Sequence, residues 1–134
     1  MKFFLIITSL ILFSSTKESC KKKKKSVDLT AAGCYKGKLE VKGGCMNYTI
    51  SITGGSFDTS LVIAKWTDEN TGKTYKNVFA LGSRCTFPET INAGDEFYFE
   101  TDNTSVQNCA VCMMYYPVPP KKISIKVIQD PCPQ

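Results

Sequence analysis

The chain has 134 residues, with 17 Lys and Arg against 12 Asp and Glu, seven cysteines and no histidine. Without an imidazole there is no Ser-His-Asp or Cys-His nucleophile, and the usual general base and the commonest zinc ligand are both missing. The excess positive charge sits at the start: residues 26–134 carry ten basic and eleven acidic side chains, which leaves a basic nucleic-acid footprint on the folded part unsupported.

Lys2 precedes an apolar run, residues 3–13 (FFLIITSLILF), and Ser14, Ser15 and Thr16 follow it. This is the layout of a secretory signal peptide. A membrane-spanning helix needs about 20 apolar residues, and Lys17 and Glu18 end this run well short of that. Ser19-Cys20 at the close of the leader resembles the lipobox of bacterial lipoproteins, in the relaxed form that some Gram-negative bacteria accept, since Lys17 and Glu18 depart from the strict pattern. The resemblance implies removal of residues 1–19 as a signal peptide, lipidation of Cys20 and a membrane anchor in the cell envelope. The competing reading is soluble secretion with cleavage nearby.

Residues 21–25 are five consecutive lysines. Such a block is solvated and disordered, and beside an acyl chain it lies on anionic head groups at about 1 kcal/mol per residue. In lipoproteins of this kind, acidic residues after the cysteine accompany surface export. Lysines there imply a periplasm-facing position at the outer membrane. Residues 20–33 then form a basic tether that reaches about 45 Å when extended, and residues 34–134 form a single domain.

Giving Cys20 to lipid resolves the odd cysteine count. Cys34, Cys45, Cys85, Cys109, Cys112 and Cys132 remain, and six cysteines allow 15 pairings. A module of about one hundred residues has a marginal core, so bridges at about 2–4 kcal/mol each, persisting in an oxidising envelope, are the expected staples.

Strand signals follow in order. Residues 38–42 (KLEVK) alternate with period two. After Gly43-Gly44, the residues Met46, Tyr48, Ile50 and Ile52 share one face, opposite Asn47, Thr49, Ser51 and Thr53. Residues 61–66 (LVIAKW) are nearly all apolar, the mark of a central or doubly covered strand. Residues 68–73 are a turn cluster, so 61–81 reads as a hairpin. In residues 96–100 (EFYFE), Phe97 and Phe99 point inward. Residues 109–116 (CAVCMMYY) are a candidate strand that Pro117, Pro119 and Pro120 terminate, with Met113-Met114 read as core filler. Residues 122–128 (KISIKVI) form the closing strand.

The expected fold is therefore all-β, a small antiparallel barrel stapled by disulfides, with a β-sandwich as the alternative. Gly44-Cys45 with Tyr48-Thr49-Ile50, then Tyr75-Lys76-Asn77-Val78, Phe87-Pro88, residues 94–99 (GDEFYF) and residues 123–128 (ISIKVI) resemble small exported bacterial domains with an OB-like five-stranded barrel and no characterised function. OB-like barrels bind oligonucleotides or oligosaccharides on one face. In the envelope, that resemblance implies a glycan or another protein as partner.

Cys109-Ala110-Val111-Cys112 has CxxC spacing, but no βαβ pattern or helix accompanies it. On an extended chain the two side chains diverge, which suits two separate bridges. Asp95, Glu96 and Glu100 read as a solvated face. Trp66, Tyr75 and Tyr98 are the candidate binding face. The expected function is a non-enzymatic binding or structural module on a lipid anchor, with no cofactor, no metal and no nucleic-acid partner. The alternatives are a thiol–disulfide protein using Cys109 and Cys112, and an inhibitor of an exported hydrolase, for which the sequence offers no motif.

Overall fold

The computed structural model describes residues 33–104 and 106–133. The expected signal peptide, Cys20 and the expected tether as far as residue 32 lie outside the described residues. Among the described residues seven strands form: β1 (Cys34–Lys42), β2 (Tyr48–Gly54), β3 (Ile63–Thr67), β4 (Thr74–Leu81), β5 (Glu96–Thr101), β6 (Lys122–Ile123) and β7 (Ile125–Ile128). Two short 3₁₀ turns, Gly44–Met46 and Thr59–Leu61, interrupt them. The fold is thus mostly antiparallel β, as the alternating sequence requires.

The ladder order is β3-β4-β2-β1-β5-β7, and β6 pairs with β4 off that path. One segment therefore touches both sides of a curled sheet. Its first part runs parallel to β4 (Ala80 to Lys122, Leu81 to Ile123), and its second part runs antiparallel to β5. The change of partner falls at Ser124, which divides the expected single closing strand in two, and the ladder does not close. Buried Ser83 spans the gap: its hydroxyl donates to the Ile125 carbonyl at 2.6 Å and accepts from the Ile125 amide at 2.9 Å. A side chain here supplies the bonds that a ladder would otherwise make.

Inside the curl lies the main core. Leu39, Ile50, Phe79, Leu81, Phe99 and Ile125 are almost completely buried, each contributing about 1.5–3 kcal/mol. The phenylalanines meet at angles: Phe79 and Phe99 rings are 6.1 Å apart, and Phe87 meets Phe97 edge-on at 5.5 Å, geometry favoured by the ring quadrupole. The inward placement of Phe97 and Phe99 matches the alternation of β5.

Strand β2 is buried on both faces. Tyr48 and Ile50 enter the main core, while Val41, Tyr75 and Val78 form a second cluster that Ile63, Trp66 and Tyr116 cover. Leu39 and Val41 should share a face, yet they enter different clusters. The reason is a register shift between Leu39 and Val41, where β1 advances two residues against one on β2, the signature of a bulge.

Two expectations are corrected. Residues 61–66 do not form a central strand: β3 pairs only with β4 and lies at the sheet edge, so its apolar character serves one covered face. Residues 109–116 form no strand; cross-links and Pro117 hold them off the sheet.

Candidate interaction site

The three bridges are Cys34–Cys132, Cys45–Cys112 and Cys85–Cys109, with Cα separations of 5.6, 5.3 and 5.5 Å. All six cysteines expected to pair do so, and Cys109 and Cys112 go to separate partners. Three disulfides in so small a domain belong to an oxidising, non-cytoplasmic compartment. No helix among the described residues is long and apolar enough to cross a membrane.

Two of these bridges converge on one feature. The segment between β5 and β6 is a strap without regular secondary structure among its described residues, pinned to the β1–β2 turn through Cys45–Cys112 and to the β4–β5 connection through Cys85–Cys109. Glycines in the turn let it lie close. A Cβ on Gly43 would sit 2.6 Å from Tyr116 Cδ1, and one on Gly44 would sit 2.8 Å from Met114 Sδ, so any larger residue lifts the strap. Beyond Tyr116, Pro117 and Pro119 are buried.

Asn47 holds the strap from beneath. Its amide Nδ2 donates to the Met114 carbonyl at 3.1 Å and to the Gly44 carbonyl at 2.9 Å, and its Oδ1 accepts from Arg84 Nη2 at 2.8 Å. The residue is only 7% exposed. Its amide is therefore satisfied at both ends, which fixes the orientation of the side chain. Sequence alternation placed Asn47 on a polar face and gave no signal of this role.

Above the strap, Met113 is fully exposed and Tyr115 is 83% exposed. Met114, between them, is itself largely exposed although its Sδ lies beside Gly44, and Tyr116 leans on Gly43. The reading of Met113-Met114 as core filler is thus corrected: both side chains are exposed, on a segment outside the strands that the two bridges tie to the connections between them. Val106, in the same strap, is also exposed.

The candidate binding face is brought together only in part. Trp66 and Tyr75 are direct cross-strand partners, stacked at 6.2 Å and 24°, with Lys73 4.9 Å above the Tyr75 ring. Tyr75 is buried, and that burial, helped by nearby Asp68 and Glu40, pushes its phenol above the usual range. Tyr98 lies on β5, beyond β2 and β1, and does not join them.

Elsewhere the described residues offer little chemistry. Asp68 is a buried turn residue whose carboxylate accepts from the Asn70 amide and the Thr71 hydroxyl. Glu96 pairs with Lys36 at 2.6 Å on the surface. No group of three or more Cys, Asp or Glu side chains among the described residues is arranged to hold a metal. A cleft of about 250 Å³ beside Ile52, Phe57, Val62 and Asn77 and another of about 380 Å³ beside Leu61, Thr101, Lys122 and Ser124 have no carboxylate in their walls. The chain matches no protein-family model, no curated protein and no solved structure.

Proposed function

We propose that this protein is a cell-envelope lipoprotein, anchored through Cys20, whose disulfide-stapled OB-like domain is a non-enzymatic module for binding another protein. The observation that carries the reading is the strap. It displays Met113 and Tyr115 to solvent from a backbone pinned by two bridges and by Asn47. Exposed apolar groups on a rigid support are how protein interfaces present anchors at low ordering cost. A glycan reading draws less support, because Tyr75 is buried and Tyr98 stands apart from Trp66 and Tyr75. The oxidised cysteines and the leader pattern support the envelope.

Two measurements test this. Mass spectrometry of the native protein should find an acylated Cys20 as the amino terminus and the three bridges formed. A photo-crosslinking residue at position 115 should capture an envelope protein, whereas one at position 98 should not. Recovery of the chain with residues 1–19 intact and its sulfurs reduced, or equal capture at 115 and 98, would overturn the reading.

A further inference from the structure

Cys109 and Cys112 stand three positions apart in the strap, yet each is bridged to a different connection of the sheet. Both residues are exposed, and their partners Cys85 and Cys45 are half-buried. The third bridge is unlike these two: Cys34 is 2% exposed and Cys132 is 7% exposed. Cys34 also opens β1, whereas Cys45 follows its far end. Exchange requires an incoming thiolate to reach a bridge sulfur, so exposed bridges are the labile ones and buried bridges persist.

The turn that anchors the strap is strained. Cys45 and Met46 have φ angles of 54° and 56°, in the left-handed region that L-residues with side chains disfavour. The Cys45–Cys112 cross-link is one of the constraints on that turn, and opening it lets the backbone relax. Arg84, the only arginine of the chain, adjoins Cys85. It donates through Nη2 to Oδ1 of Asn47, two residues after Cys45, at 2.8 Å. A permanent cation near a cysteine favours the thiolate, and a more acidic thiol leaves a disulfide faster. Both anchoring cysteines are therefore suited to be leaving groups.

We infer that the strap is a redox latch, released from both anchors by one molecule of an external dithiol through a shift of its two bridges to Cys109–Cys112. A thiolate of the dithiol attacks Cys112 Sγ; the Cys45–Cys112 bond breaks, and Cys45 leaves as a thiolate and is protonated. The second thiolate of the dithiol attacks the dithiol sulfur in the mixed disulfide, which closes the oxidised dithiol and frees Cys112 as a thiolate. Cys112 then attacks Cys109 Sγ. A Cys109–Cys112 bond forms, the Cys85–Cys109 bond breaks, and Cys85 leaves and is protonated. The dithiol has lost two electrons, and the protein has gained thiols at Cys45 and Cys85, its bridges falling from three to two. Entry at Cys109 reaches the same product. The short span between the two cysteines keeps the closing sulfur at high effective concentration. This inference rests in part on the reading that the strap binds a protein: once released, it no longer holds Met113 and Tyr115 on a fixed support, and the ordering cost of binding returns.

The test uses the full oxidised chain, solubilised with its anchor in detergent. It is equilibrated with graded ratios of reduced to oxidised dithiothreitol, quenched in acid, alkylated and mapped by mass spectrometry. The first reduced species should carry thiols at Cys45 and Cys85, with Cys109 joined to Cys112 and Cys34–Cys132 intact. Opening of Cys34–Cys132 should need a ratio at least about tenfold higher. A photo-crosslinking residue at position 115, in envelope extract, should capture at least about fivefold less protein from the alkylated two-thiol form than from the oxidised form. Thiols at Cys45 and Cys112, thiols at Cys85 and Cys109, loss of all three bridges together, or equal capture from the two forms would each overturn the latch. The expected thiol map with no capture from either form leaves the bridge shift standing and removes the binding-module reading. Capture from the oxidised form with any other thiol map removes the latch and leaves that reading in place.

Discussion

Removing the Cys45–Cys112 bridge, by replacing both cysteines with serine, should cost about 3–4 kcal/mol of stability from loop closure. With the other bridges intact, the shortest circuit that Cys45–Cys112 closes runs 11 residues back to Cys34, across to Cys132, and 20 residues back to Cys112. A circuit of about 31 residues corresponds to about 3.7 kcal/mol in the chain-entropy relation, against about 4.4 for the bare 67-residue loop. For a domain of this size the loss shifts the midpoint by about 15–30 °C. Urea unfolding followed by the fluorescence of Trp66, the single tryptophan, reads it directly. The denaturant slope should rise, since the freed unfolded chain exposes more surface. A loss below about 1 kcal/mol with an unchanged slope would refute the argument that this cross-link constrains the chain.

Other outcomes follow from single groups. The Thr49 hydroxyl is buried without a hydrogen-bond partner, so Thr49→Val should leave stability unchanged or raise it by up to about 1 kcal/mol in urea titration; a clear loss would reveal a bond to the hydroxyl. Ser83→Ala removes both buried bonds to Ile125 and should cost about 1–3 kcal/mol, with amide exchange at Ile125 accelerated first. Stability should be level from about pH 5 to 9, because no histidine titrates there. It should fall above about pH 10: burial raises Tyr48 and Tyr75 above their usual values, so the unfolded chain releases these protons first and gains stability as the base is added. On the acid side, bonds from Ser60 hold Asp58 below its usual value, and its contribution disappears as the carboxylate is protonated below about pH 4. Thermal midpoints across pH check both limbs.

What could be read in advance was local. Alternation gave the inward Phe97 and Phe99 and the Tyr48–Ile50 face. The turn cluster at residues 68–73 gave the β3–β4 hairpin, though not its register, which sets Trp66 opposite Tyr75. Failures came where distant covalent or packing constraints override local pattern. The alternation of residues 38–42 carries no mark of the shift that sends Leu39 and Val41 to different clusters. An apolar run ending in Met113-Met114-Tyr115 reads as a strand with core methionines; its display depends on Cys45 and Cys85, which lie far away in the sequence. Asn47 was illegible for the same reason, since its role needs Met114 and Arg84 beside it.

Strand β1 separates the two ends of the module. Cys34 opens it and is tied to Cys132, so the chain enters and leaves at one end. The turn carrying Cys45 follows its other end, and the strap is fastened there. Nine strand residues span about 30 Å. Cys34 therefore lies at the end away from the turn that holds Met113 and Tyr115. On the proposed reading, the lysine block and lipid occupy the membrane side while the strap is offered to the solvent side. The buried Cys34–Cys132 bridge closes the end of the domain where β1 begins, and Cys45–Cys112 and Cys85–Cys109 cross-link the connections at the other end.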